Sequence, residues 1–104
     1  MTADVVGPAK GATAASDTGV GTPDAAKRIA DMRRRIDEID EQIIELWRER
    51  ASLSKQVGAT RVAAGGTRLV LSREREILNR FHRALGPDGT QLALLLLRAG
   101  RGPL

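Results

Sequence analysis

Counted in sevens, residues 29 to 57 carry apolar side chains in two columns. Ile29, Ile36, Ile43 and Val57 form one, and Met32, Ile39, Leu46 and Leu53 form the other, which ends at Thr60. This is an a/d heptad seam held for about four repeats, the pattern of a long helix packed against other helices. Arg50 stands in the first column where a hydrophobic residue belongs. A guanidinium in such a seam is costly unless an anion or a dense hydrogen-bond network compensates it. The misplaced charge therefore asks which anion the bundle holds.

The punctuation around the seam sets the elements. Thr22-Pro23-Asp24 reads as a helix start, with a hydroxyl cap, a proline in the first turn and an acid behind it. No proline follows until after Val62, and Gly58 is the one glycine in between, so the spacing predicts one helix of roughly 40 residues, about 60 Å long. Ala63-Ala64-Gly65-Gly66 ends it and a loop runs to Leu71. Ser72 reads as the cap of a second helix from Arg73 to about Ala84, with Ile77, Leu78, Phe81 and Leu85 at helical spacing. Gly86-Pro87-Asp88-Gly89 reads as a tight turn, and a third helix from Thr90 to about Arg98 stops at Gly100. No stretch alternates like a strand. The expectation is an all-α fold of one very long and two short helices.

Residues 1–21, rich in Ala, Gly, Thr, Val and Ser without a period, read as a disordered tail, leaving residues 22–104 as a single domain. Roughly 80 residues in extended helices bury little core alone, so the seam needs a second copy to cover it. A homodimer is expected.

Composition narrows the chemistry. There is no cysteine, hence no disulfide framework and no thiolate nucleophile. A cytoplasmic protein is expected, since the start lacks a secretory pattern and the apolar run Leu92 to Leu97 is far too short to span a membrane. The formal net charge is +4, which points to anionic ligands. One Phe, one Trp and no Tyr leave little for stacking nucleobases. No His pair, metal-ligand spacing, Ser-His-Asp set or phosphate loop is visible, so an enzyme built on this chain is expected to work without metal or cofactor. His82 reads as a surface residue and Trp47 as packing beside the seam.

Helix geometry then groups the arginines. Arg61 lies eleven residues after Arg50, about 1100° around the helix, so both point to nearly the same face. Arg33, seventeen residues before Arg50, falls about 100° off it and reaches the same kind of site only from a partner chain. Arg73 and Glu74 follow the Gly-Gly loop, which returns them towards Arg61. Several guanidiniums with one carboxylate suit a ligand bearing two carboxylates, because each arginine offers a planar bidentate fork. The plainer readings are a solvated face for Arg34 and Arg35, a helix-end cation at Arg61, and an ion pair for Arg50 with Glu45 or Glu49. A different class of function, a basic helical dimer binding nucleic acid or a partner helix, accounts for the charge balance. It does not account for a charge inside the seam, and acids interleave the basic residues from Asp31 to Glu49.

Together, the stretches MRRRIDEIDEQIIELWRERASLSKQVGATR, GGTRLVLSRERE and LGPDGTQLALLLLRAGRG resemble the all-helical AroQ-type chorismate mutases, in their short actinobacterial form. The resemblance spans about residues 29–102. It implies an intertwined homodimer that rearranges chorismate to prephenate, an isomerase of the shikimate pathway serving phenylalanine and tyrosine synthesis. By that resemblance Arg33 reaches the partner's site and Arg50 binds a carboxylate in its own subunit. Arg61 is the cation at the ether oxygen, Arg73 supports the ring carboxylate or the loop contacts to chorismate, Glu74 accepts from the substrate hydroxyl, and Thr67 and Val70 line the pocket. Better-known members supply a polar side chain from the third helix, where this chain has Leu94 to Leu97, Arg98 and Arg101. The resemblance also implies an activating complex with DAHP synthase, the first enzyme of the pathway. An isochorismate pyruvate lyase of the same fold is the alternative within that family.

Overall fold

The computed structural model describes residues 19–103, so residues 1–18 of the expected disordered tail lie outside the described residues. The ordered chain is three α-helices: α1 (Pro23–Ala63), α2 (Leu71–Leu85) and α3 (Pro87–Arg101), with no strand among the described residues. The all-α expectation holds. The chain divides into two compact units, the first ending at Gln42 and the second running from Ile43 to the end.

In the first unit, the described part of α1 is laced by charge pairs one turn apart. Lys27 donates to Asp31 at 3.0 Å, Arg34 pairs with the same carboxylate, and Arg35 donates to Glu38 at 3.0 Å. The Lys27 hydrogen bond, joined by the charges of Lys27 and Arg34, holds the Asp31 carboxyl below its ordinary range. These pairs are exposed and screened by solvent, so none of them decides the fold. The seam decides more. Met32, Ile36, Ile43, Leu46, Leu53 and Val57 are each more than half exposed on the single chain, an apolar row that one copy leaves in water.

In the second unit, α2 and α3 pack on each other and are joined through Gly86, whose φ of +71° turns the chain in one residue. Ile77, Ala93 and Leu97 are buried, with Leu78 and Phe81 packed against them. Gly89, Ala93, Leu97 and Gly100 are the buried positions of α3 and share one face at helical spacing.

Three local expectations are corrected. Ser72 does not cap α2. The carbonyl of Val70, an extended residue, accepts from the amides of Arg73 and Glu74 at 3.1 Å each, so the helix is already closed at Leu71. Gly86 to Gly89 is not a four-residue turn, because Pro87 occupies the first turn of α3, where its missing N–H costs nothing. Gly100 does not end α3 either. The helix runs one residue further and closes at Gly102, whose amide donates to the Arg98 carbonyl at 2.8 Å.

Candidate active site

The second unit contains a cavity of about 380 Å³, within the range of small-molecule sites. From α1 come Arg50, Leu53, Ser54, Val57 and Arg61; from the loop, Arg68 and Val70; from α2, Arg73, Glu74 and Ile77; from α3, Leu97 and Arg101. Five arginines thus face one glutamate over an apolar floor. The eleven-residue spacing of Arg50 and Arg61 is what puts both on the cavity side of α1. Their backbones are about 16 Å apart along the helix, leaving room for a small molecule between the two heads.

The loop is folded back onto Arg61. The amides of Ala64 and Gly66 donate to the Arg61 carbonyl at 3.2 and 2.8 Å, which terminates α1 and turns the chain towards α2. The Thr67 hydroxyl donates to the Leu69 carbonyl at 2.8 Å and so braces the loop from within. Thr67 is not one of the lining residues, whereas Val70 is.

Partners separate the cations. Arg73 pairs with Glu76 at 2.7 Å on the exposed side of α2. Arg68 donates to the Arg101 carbonyl at 2.7 Å. Arg101 grips Glu74 with two bonds, Nε to Oε2 at 2.5 Å and Nη2 to Oε1 at 3.2 Å. Arg50 is different. Its Nη1 donates to the Leu96 carbonyl at 3.2 Å, and among the described residues no carboxylate pairs with it, neither Glu45 nor Glu49. Partial burial, then the neighbouring charges of Arg73 and Arg80, lower its pKa from the ordinary guanidinium value. Three effects disfavour this cation and one neutral acceptor favours it, a balance that an anionic ligand would reverse.

The expected site residues are therefore mostly brought together. Arg50, Arg61, Val70, Arg73 and Glu74 line one cavity. Arg33 belongs to the first unit and is not among the lining residues. The sequence reading missed Arg68 and the apolar floor, and it did not connect Arg101 with Glu74. Only the 27-residue separation of that pair hid it, since nothing local links the two. His82 is exposed and its Nδ1 lies 3.1 Å from the Thr90 hydroxyl, away from the cavity lining. Among the described residues no group of His, Cys, Asp or Glu has the arrangement of a metal site, and no helix is long and apolar enough to cross a membrane.

No curated protein is significantly similar in sequence to the chain. Among solved structures, one chain of the non-covalent complex of DAHP synthase and chorismate mutase from Corynebacterium glutamicum, with bound transition state analog, superposes with a TM-score of 0.75. The two are 40% identical, and the match covers 79% of this chain and 99% of that one. The family model for chorismate mutase type II matches residues 32–95, which include Arg33, Arg50, Arg61, Arg73 and Glu74. An all-helical chain with an arginine-lined cavity, matched over most of its length, belongs to the chorismate mutase type II family.

Proposed function

We propose that the protein converts chorismate to prephenate, an intramolecular transfer of the isomerase class, in the arginine-lined cavity of the second unit. The observation that carries the reading is Arg50, a half-buried guanidinium held by a carbonyl and facing other cations. Such a site is built for an anion it does not itself contain. Arg50 binds one substrate carboxylate through its fork, and Arg73 supports the ring carboxylate. Arg61 faces the ether oxygen, where negative charge builds as the C–O bond breaks. Glu74 accepts from the ring hydroxyl.

Two effects lower the barrier. Clamping both carboxylates holds the folded conformer in which the reacting carbons meet, and a fixed cation stabilises charge that develops only in the transition state. No proton moves and no covalent intermediate forms. The reaction needs no cofactor. The exposed apolar row on α1 supports a homodimer in which Arg33 of one copy completes the site of the other, and the cytoplasm is the compartment we propose for it.

Purified protein is expected to consume chorismate and form prephenate, and to leave isochorismate unchanged. Arg61→Gln is expected to lower kcat by about 10²-fold or more, the usual loss when one donor to a developing oxyanion is removed. Pyruvate release from isochorismate at a rate above chorismate turnover would instead establish the lyase reading.

The solved relative is described in complex with DAHP synthase. We place the same kind of partner on this chain, as an activator of its mutase. Adding the synthase is expected to raise kcat/KM, and an unchanged value at saturating synthase would remove the partner from the account.

A further inference from the structure

We infer that Arg101, at the end of α3, is a positioning residue for Glu74, an inference that rests on the mutase reading above. Its guanidinium meets the Glu74 carboxylate through Nε at 2.5 Å and Nη2 at 3.2 Å, one donor to each oxygen. The two side chains are only 15% and 17% exposed. The pairs Lys27–Asp31, Arg34–Asp31, Arg35–Glu38 and Arg73–Glu76 each join neighbours one turn apart on one helix, with both members at least 42% exposed. The pair Arg101–Glu74 instead ties two different elements, and it does so at the cavity wall, since both residues line it.

The geometry separates two jobs within one carboxylate. An ionised carboxylate offers about four lone-pair sites, of which the Arg101 fork takes two. The planar fork fixes the plane of the acceptor and leaves the remaining sites for a hydroxyl presented from the cavity. Glu74 alone, on a side chain with three rotatable bonds, would have to be ordered each time substrate bound, and the fork removes that step. Arg101 is in turn held at its backbone. Arg68 from the loop donates to its carbonyl at 2.7 Å, so loop, α3 and α2 converge on one carboxylate. The third helix thus contributes its polar group through Glu74 rather than directly to the reacting atoms.

The test compares chorismate turnover by the wild type, Arg101→Ala, Glu74→Gln and the double variant, with Arg101→Lys as a conservative change that keeps the charge and aliphatic stem. Arg101→Ala is expected to lower kcat/KM by about 30-fold, and the double variant to fall within about twofold of Glu74→Gln alone, because the two side chains act as one unit. Arg101→Lys is expected to keep KM within about threefold of wild type while kcat falls about tenfold, since a point charge cannot reproduce the fork. Losses that multiply in the double variant, or a wild-type kcat in Arg101→Lys, would overturn the positioning role while leaving the mutase reading intact. A wild type inactive on chorismate overturns that reading instead, and this inference with it.

Discussion

Arg50→Ala is expected to lower kcat/KM for chorismate by about 10³-fold, while Arg50→Met leaves the fold as stable as the wild type or slightly more so. The activity half follows from the site. Arg50 is the cavity guanidinium whose cost is already built into the free protein: it is half-buried, repelled by Arg73 and Arg80, and held by the Leu96 carbonyl alone. Binding a carboxylate there exchanges a disfavoured cation for a charge-assisted, bidentate pair, a contact whose truncation typically costs several kcal/mol in a desolvated site. The stability half has the opposite sign. Removing a guanidinium that lacks a carboxylate partner relieves its desolvation, and methionine refills the volume with an apolar, flexible chain. Remaining solvent contact screens the repulsion, so the gain is small, about 0.5 kcal/mol, or a few degrees in Tm. The sign of the pH effect can be worked out. The folded pKa of this cation is lowered, so folding is opposed wherever the group is protonated in both states, and stability would rise only as pH climbs through the folded value. That window lies far above neutrality, and Arg50 therefore contributes no slope between about pH 5 and 9. Steady-state kinetics beside thermal unfolding of the same two variants check both halves. Stability that falls sharply in Arg50→Met would mean that the arginine holds the helices together rather than waiting for substrate.

The residues that sequence order could place are those governed by local periodicity. Arg50 and Arg61 share a helix, and eleven residues at 100° per residue bring them to one face whatever surrounds them. The return of Arg73 and Glu74 followed from a Gly-Gly loop too short to lead elsewhere. The same rule separated Arg33, which does not line the cavity. What periodicity could not give is pairing across elements. The grip of Arg101 on Glu74 depends on how α3 packs, and the sequence puts Arg101 beyond Gly100, where the third helix is expected to have stopped. The boundaries failed for a related reason. Ser72 carries the side chain of a cap, but the backbone of Val70 closed the first turn before it was needed. Glycine was read as punctuation at residues 89 and 100, where its actual use is the absence of a side chain inside a helix.

That use leads to the second large effect, on stability. Gly89 and Gly100 lie eleven residues apart on the buried face of α3, each where another element approaches too closely for a Cβ. At Gly89 an added methyl would meet the main-chain carbonyl of Phe81, with its carbon at 2.7 Å and the Leu85 Cβ at 2.9 Å. Backbone cannot rotate out of the way, so α2 and α3 must move apart. At Gly100 the obstacle is the side chain of Ser54 on α1, whose Cβ would lie 2.5 Å from the new methyl. Overpacking of this kind costs about 1–3 kcal/mol where neighbours relax and more where they cannot. Gly100→Ala is accordingly expected to lower Tm by about 10 °C, and Gly89→Ala by more. The two differ in how they can be repaired. Ser54→Gly removes both atoms that the Gly100 methyl strikes, so the Gly100→Ala, Ser54→Gly pair is expected to recover about half of the lost Tm, the residue being the cost of glycine inside α1. The same Ser54→Gly change should do nothing for Gly89→Ala, whose clash is with main chain in another helix. Calorimetry on the four proteins distinguishes the cases, and equal rescue of both alanine variants would show that the α3 face is not set by these two close approaches. Because Gly100 immediately precedes Arg101, Gly100→Ala is also expected to lower chorismate turnover, as the fork on Glu74 shifts with the helix that carries it.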